Sequence, residues 1–253
     1  MSISKKVSDR ISLQVKKYQT ILNDALARDI SESDTVVIIG DMVADLLGYK
    51  KYSEITTEFA IRGTYVDLAV KVGNEVRFLI EAKAIGQQLK DNHIKQAVDY
   101  GANHGIEWVV LTNGILWQVY KIHFKQPIDK VLIFEIDLLK STPKNAQLIE
   151  GFGNLSREGF TQSSMTAFFQ QQQATSKFSI AALLQTDALI LALRKELKRI
   201  GAGNKIDDLF IKALLQNEVV KRELIDSDEA KSAADYIKKA SKQTSKMKVM
   251  AKI

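Results

Sequence analysis

The stretch GTYVDLAVKVGNEVRFLIEAKAIG, residues 63–86, decides the fold. Apolar residues alternate along it with period two, the pattern of half-buried strands. In TYVDLAVKV, Val66, Leu68, Val70 and Val72 share one face and Asp67 falls on the other. In EVRFLIEAKAI, Val76, Phe78, Ile80, Ala82 and Ala84 share one face, which leaves Glu81 and Lys83 opposite. Charged side chains at the middle of such a strand need a partner or a task. Gly73-Asn74 joins the two runs as a hairpin. A plain two-residue turn would pair Val66 with Glu81 and set the apolar rows on opposite sides of the sheet. An odd-length connection, or a bulge, instead stacks Val72 on Val76, Val70 on Phe78, Leu68 on Ile80 and Val66 on Ala82. That register sets Asp67 directly across from Glu81, with Cβ atoms roughly 5 Å apart and Lys83 on the same face.

Two carboxylates so placed repel, and one tends to take up a proton. A divalent cation between them removes the penalty, and hard oxygen ligands favour Mg²⁺ or Mn²⁺ over Zn²⁺. Lys83 beside such an ion could orient a water or stabilise negative charge on a phosphate. The plainer alternative is a solvated Glu-x-Lys pair, common on exposed strands. Asp67 across the hairpin sets this one apart.

Working outward, Val7, Ile11, Val15, Tyr18, Leu22 and Ala25 form one apolar stripe over residues 5–28, the mark of an amphipathic helix. Ser31 suits the N-cap of a second helix, with Asp34 three residues on and Gly48 past its end. EITTEFAI reads as a strand ahead of the hairpin. After it the chain reads helical from Gln87 to about His104, then as strands EWVVLTN and ILWQVYKI around an Asn113-Gly114 turn, then VLIFEIDLL. The turn-rich residues 143–165 read as a linker. The expected organisation is therefore an α/β unit over 1–142, the linker, and a helical region over 166–253 that includes one helix from Ile180 to Ile200.

The 253 residues include no Cys, which excludes disulfide scaffolds and thiolate metal sites. Charges interrupt the N-terminus every few residues, unlike a signal peptide. No apolar run nears the roughly 18 residues of a membrane span, so a cytoplasmic protein is expected. Seven Lys and one Asp between Lys231 and Ile253 account for the whole net charge of +6. The rest of the chain is neutral, and a basic tail can either neutralise phosphates or remain a solvated end.

The hairpin followed by KQAVDYG resembles the PD-(D/E)xK nuclease superfamily, and within it the N-terminal nuclease domain of type I restriction enzyme R subunits. Asp67 matches the first acid, Glu81 and Lys83 the E-x-K element, and Gln96 and Tyr100 the Q-x-x-x-Y element. Glu32 stands where the family usually carries an acid in the preceding helix; a first-turn acid favoured by the helix dipole is the alternative. The resemblance spans about residues 30–122. It implies a restriction-endonuclease-like αβββαβ core of the α/β (α+β) class, with a central mixed sheet. It further implies that Asp67, Glu81 and the Ala82 carbonyl hold Mg²⁺ (or Mn²⁺) while Lys83 positions the attacking water. Gln96, Tyr100 and His93 would share a helix face that closes the site and touches DNA, with His93 a phosphate contact at most. Outside the resemblance, the tail lysines, among them Lys238, Lys239 and Lys242, are candidates to follow a DNA backbone, with a merely solubilising tail as the alternative.

The implied activity is Mg²⁺-dependent endonucleolytic hydrolysis of DNA. The alternative is a catalytically silent nuclease-fold module for DNA binding or assembly. R subunits continue into an ATP-driven motor; here GAGNK at 201–205 lacks the spacing and hydroxyl of a phosphate-binding loop, so no ATP use is expected. A homodimer, or a restriction or defence partner protein, would supply a second active site for cutting both strands.

Overall fold

A computed structural model describes the backbone of residues 3–61, 64–124, 126–162, 164–201 and 206–250. The chain divides into two compact units, Met1–Phe168 and Phe169–Ile253.

The first unit opens with helix α1 (Lys5–Ala27), capped by the Ser4 hydroxyl, and buries the six residues of the stripe. Helix α2 (Glu32–Asp45) starts on Ser31, whose Oγ accepts the Asp34 N–H at 3.1 Å. Beyond its end Gly48 takes φ +82°, and the Arg10 guanidinium fills the space a Cβ would need. Six strands follow: β1 (Ile55–Ile61), β2 (Thr64–Val72), β3 (Glu75–Ala82), β4 (Trp108–Thr112), β5 (Leu116–His123) and β6 (Asp129–Asp137). They lie in one sheet in sequence order. Among the described strands only β3 and β4 run parallel, and helix α3 (Lys95–His104) connects them, as a parallel pair requires. The sheet is mixed, as expected, and every residue of β4 is buried.

Both possibilities left open for the hairpin are resolved by a bulge. Gly73, at φ +65°, and Asn74 make a two-residue turn closed by Val72 opposite Glu75. The ladder then slips between Val70 and Lys71, leaving Arg77 as the extra residue. Val70 opposite Phe78 and Leu68 opposite Ile80 hold as expected, whereas Val76 lies across from Lys71 instead of Val72. One inserted residue thus restores the stacking of the apolar rows.

The sheet is covered on both faces. Phe78 stacks on Phe160 at 5.4 Å and meets Tyr49 edge-on. On the opposite face Ala69, Leu79, Val109 and Leu111 pack with Ala97, Val98 and Tyr100 of α3.

Residues 143–165 are not a linker. Helix α4 (Ala146–Leu155) is capped by Asn145, and helix α5 (Arg157–Thr161) by Ser156. Leu148, Phe152 and Leu155 are buried, with Phe152 edge-on to Trp117 at 5.5 Å. The glycines that look like turn formers are close-approach positions: a Cβ on Gly151 would meet Ile136 Cδ1 at 2.9 Å. Two ion pairs lock the segment in place. Arg10 grips Glu158 through Nη1 and Nη2 at 2.7 and 2.8 Å. Arg157 meets the buried carboxylate of Glu54 at 2.9 Å.

The second unit is helical. It contains α7 (Lys177–Leu184), α8 (Asp187–Ile200), α9 (Asp208–Leu214), α10 (Glu223–Asp226) and α11 (Asp228–Met250); α6 (Ser164–Ala174) precedes them. The expected single helix from Ile180 to Ile200 is broken at Gln185-Thr186, because Thr186 adopts an extended backbone and starts α8. Ile190, Ile211 and Leu215 form a small core of their own.

Burial alone would raise the Glu54 pKa. The Lys50 N–H and the Arg157 guanidinium more than offset it and hold the carboxyl below its ordinary value. Its stabilising contribution is therefore present above the unfolded-state pKa and lost as pH falls through the folded one. Arg157→Met should cost about 2 kcal/mol at pH 7 by stranding a buried charge, part of it discounted because the guanidinium is one-third exposed. In denaturant titrations the deficit should shrink as pH drops below 4.5, the ordinary glutamate value; a deficit constant with pH would contradict the assignment.

Candidate active site

Asp67 and Glu81 lie on the face covered by α3, at the end of the β2–β3 ladder. There the backbone pairing stops, and the Asp67 carboxylate replaces it: Oδ2 accepts the Ala82 N–H at 2.7 Å. Across the other edge of β3, the Lys83 N–H donates to the Thr112 carbonyl at 2.9 Å, so the central parallel strand fixes the main chain at the end of E-x-K. The Lys83 side chain turns back on this face. Its Nζ lies 2.8 Å from Glu81 Oε1 and 3.5 Å from Glu32 Oε1.

The group is sunk into the fold, unlike a solvated Glu-x-Lys pair on an exposed strand. The side chains of Lys83 and Glu81 are only 14% and 12% exposed, while Glu32 at the start of α2 remains 47% exposed. Burial raises the pKa of Asp67, partly offset by the Ala82 N–H and the Lys83 charge. Burial also raises that of Glu81; the Lys83 bond opposes the shift and the neighbouring Asp67 charge adds to it. For Lys83 burial works the other way, but the bond to Glu81 and the charges of Glu81, Glu32 and Asp67 outweigh it and raise its pKa. Lys83 is therefore firmly protonated at neutral pH, an ammonium donor and not a general base.

Three carboxylates against one ammonium leave a formal charge of −2 in a half-buried cluster. A small dication matches both that charge and the all-oxygen donor set of Asp67 and Glu81, to which the Ala82 carbonyl could be added. Among the described residues no three His, Asp or Glu side chains converge as a preformed metal cage.

The remaining expected residues are placed apart from this cluster. Gln96 Nε2 donates to the carbonyl of Tyr65 at 2.9 Å, tying α3 to β2 two residues before Asp67. Tyr100 is buried in the α3-side core, edge-on to Phe59 and stacked on His104. Its hydroxyl has no hydrogen-bond partner among the described residues. His93 does not share their helix face. It lies in a 3₁₀ turn, Asp91–Ile94, where its Nδ1 accepts the Lys90 N–H. The cause is that α3 begins only at Lys95, not near Gln87. Lys238 is exposed on α11, while the side chains of Lys239 and Lys242 lie outside the described residues.

One supporting residue escaped the sequence reading. Asn113 donates to the carbonyls of Ile85 and Gln87 and accepts the Ile115 and Leu116 N–H groups. It closes the β4–β5 turn and holds the loop after Lys83 at once. The Asn-Gly pair marks the turn, but its second task needs the β3–β4 adjacency, which local pattern does not carry.

Residues 42–133 match the family model of the type I restriction enzyme R protein N terminus. Over that stretch the α/β unit is similar to this family. The match runs from α2 into β6 and takes in Asp67, Glu81, Lys83, Gln96 and Tyr100, while Glu32 precedes it. No curated protein and no solved structure matches the chain. Among the described residues no helix is long and apolar enough to cross a membrane.

Asp67→Asn should keep an acceptor for the Ala82 N–H and remove one of two opposed charges. The metal-free variant should gain about 1 kcal/mol, or roughly 2–4 °C in Tm, at pH 7. An acid whose folded pKa is raised costs stability only once it ionises. The gain should therefore fade as pH falls toward 3.8, the ordinary aspartate value. A variant less stable than wild type at pH 7 would show that the charge is not a burden.

Proposed function

We propose that the α/β unit is a metal-dependent DNA endonuclease that hydrolyses phosphodiester bonds. The observation that carries this reading is the pair of half-buried carboxylates, Asp67 and Glu81, whose ionisation the fold opposes and whose combined charge calls for a cation. Asp67, Glu81 and the Ala82 carbonyl would hold Mg²⁺ or Mn²⁺. When bound, such an ion acts as a Lewis acid on the phosphate and makes water a stronger nucleophile. Lys83, held protonated, would donate to the phosphate oxygens and stabilise their developing negative charge. Glu32 would keep the Lys83 ammonium directed into the site from the α2 side. Gln96 would act one step removed, by fixing the strand that carries Asp67. DNA is the proposed partner. Cutting both strands would call for a second copy of the chain or a restriction or defence protein. A DNA substrate and the lack of Cys suit a cytoplasmic setting.

One observation favours the second reading, a nuclease-fold DNA-binding or assembly module. Lys83 is closed onto Glu81, and Asp67 is occupied by a main-chain donor. An enzyme must draw Lys83 off Glu81 to admit a cation, with Asp67 Oδ1 left to hold it; a silent module need not.

Incubation of supercoiled plasmid with Mg²⁺ or Mn²⁺ separates the two. Wild type should nick or linearise the DNA, and Lys83→Ala should lower the rate at least about 100-fold. That variant should lose about 1–3 kcal/mol of stability by leaving Glu81 without its partner, so its Tm is read alongside. Cleavage by folded Lys83→Ala at the wild-type rate would overturn the proposed role.

A further inference from the structure

The whole net charge of +6 resides in the second unit. Residues 169–253 carry 16 basic and 10 acidic side chains, against 20 of each in residues 1–168. Within the same unit, α7, the start of α8, α10 and α11 line a half-open cavity of about 430 Å³, a size that suits one small planar group. Its walls are aliphatic, including Leu224, Ile225, Ala234 and Ile237. Gln185 lines it, and neither the Nε2 nor the Oε1 of its side chain has a hydrogen-bond partner among the described residues, although both atoms are closed off from solvent. An amide left with both its donor and its acceptor unmade is costly, and native folds rarely keep one without a use. Asp187 and Lys238 also line the cavity.

We infer that this cavity takes a single unpaired nucleobase, with its hydrogen-bonding edge paired to the Gln185 amide once that side chain turns from its solvent-free position into the cavity. A side-chain amide is complementary to any edge that presents a donor beside an acceptor, and every nucleobase has one. The aliphatic walls would sandwich the faces of the ring and shed water from it. Lys238 supplies a cation for the adjoining phosphate, and the positive charge of the unit suits a polyanionic strand. The choice of a base over another amide-edged group rests on the nuclease reading of the first unit. The amide and the cavity stand without it.

The test uses the full-length chain carrying Lys83→Ala, without divalent metal, so that cleavage plays no part. Fluorescence anisotropy compares a mixed-sequence single strand of DNA with an abasic strand of equal length and charge. The base-bearing strand should bind about ten-fold more tightly, the worth of one or two hydrogen bonds with base burial. Gln185→Leu, which removes the unpaired amide, should abolish that difference while raising Tm. It should leave the affinity for the abasic strand unchanged. Equal affinity for the two strands in the parent protein would overturn the inference, as would a preference that survives in Gln185→Leu. Failure of plasmid cleavage by the wild type would instead count against the nuclease reading alone.

Discussion

The hydrogen bond from the Ala82 N–H to Asp67 Oδ2 is the contact on which the site depends. It falls where β2 and β3 cease to pair through their backbones, and it lets a side-chain carboxylate satisfy a main-chain donor that would otherwise be lost. The same contact fixes Asp67 beside Glu81, two groups that burial makes reluctant to ionise. The hairpin register therefore sets the electrostatics directly. Had the ladder lacked its bulge at Arg77, the apolar rows would lie on opposite faces and the carboxylates would not meet.

Around that contact the fold holds the E-x-K end from three directions. The central strand β4 accepts the Lys83 N–H through Thr112, and Asn113 ties down the loop that follows. Helix α2 brings Glu32 against the Lys83 ammonium, and α3 braces β2 through Gln96 and Tyr65. The metal-free arrangement is internally balanced as far as one ammonium can balance three carboxylates. On the proposed reading, the residual negative charge would favour a dication, which would have to compete with the Lys83–Glu81 contact.

Most of this was legible in the sequence where period-two and period-3.6 patterns are strong. The six buried residues of α1 follow from their 3.6-residue spacing, and the pairing of Val70 with Phe78 and Leu68 with Ile80 follows from alternation once a bulge is allowed. The failures share a physical cause: local composition does not distinguish a flexible glycine from one in close contact. Gly151 and Gly153 lie on a packed helix that looked like linker. Tyr100 could be placed on a helix but not assigned to the core, because only the sheet topology brings Phe59 and Leu111 against α3. The basic tail begins not as a free arm but as α11, whose first turns bury Ala230 and Ala233.

The central claim is that Asp67 and Glu81 together make a site for a divalent cation. Calorimetric titration of Mn²⁺ into the wild-type chain and into Asp67→Asn at pH 7 tests it most directly. A single saturable site in the wild type, lost in the variant, is the expected result. No binding to the wild type, or the same isotherm in both proteins, would contradict it.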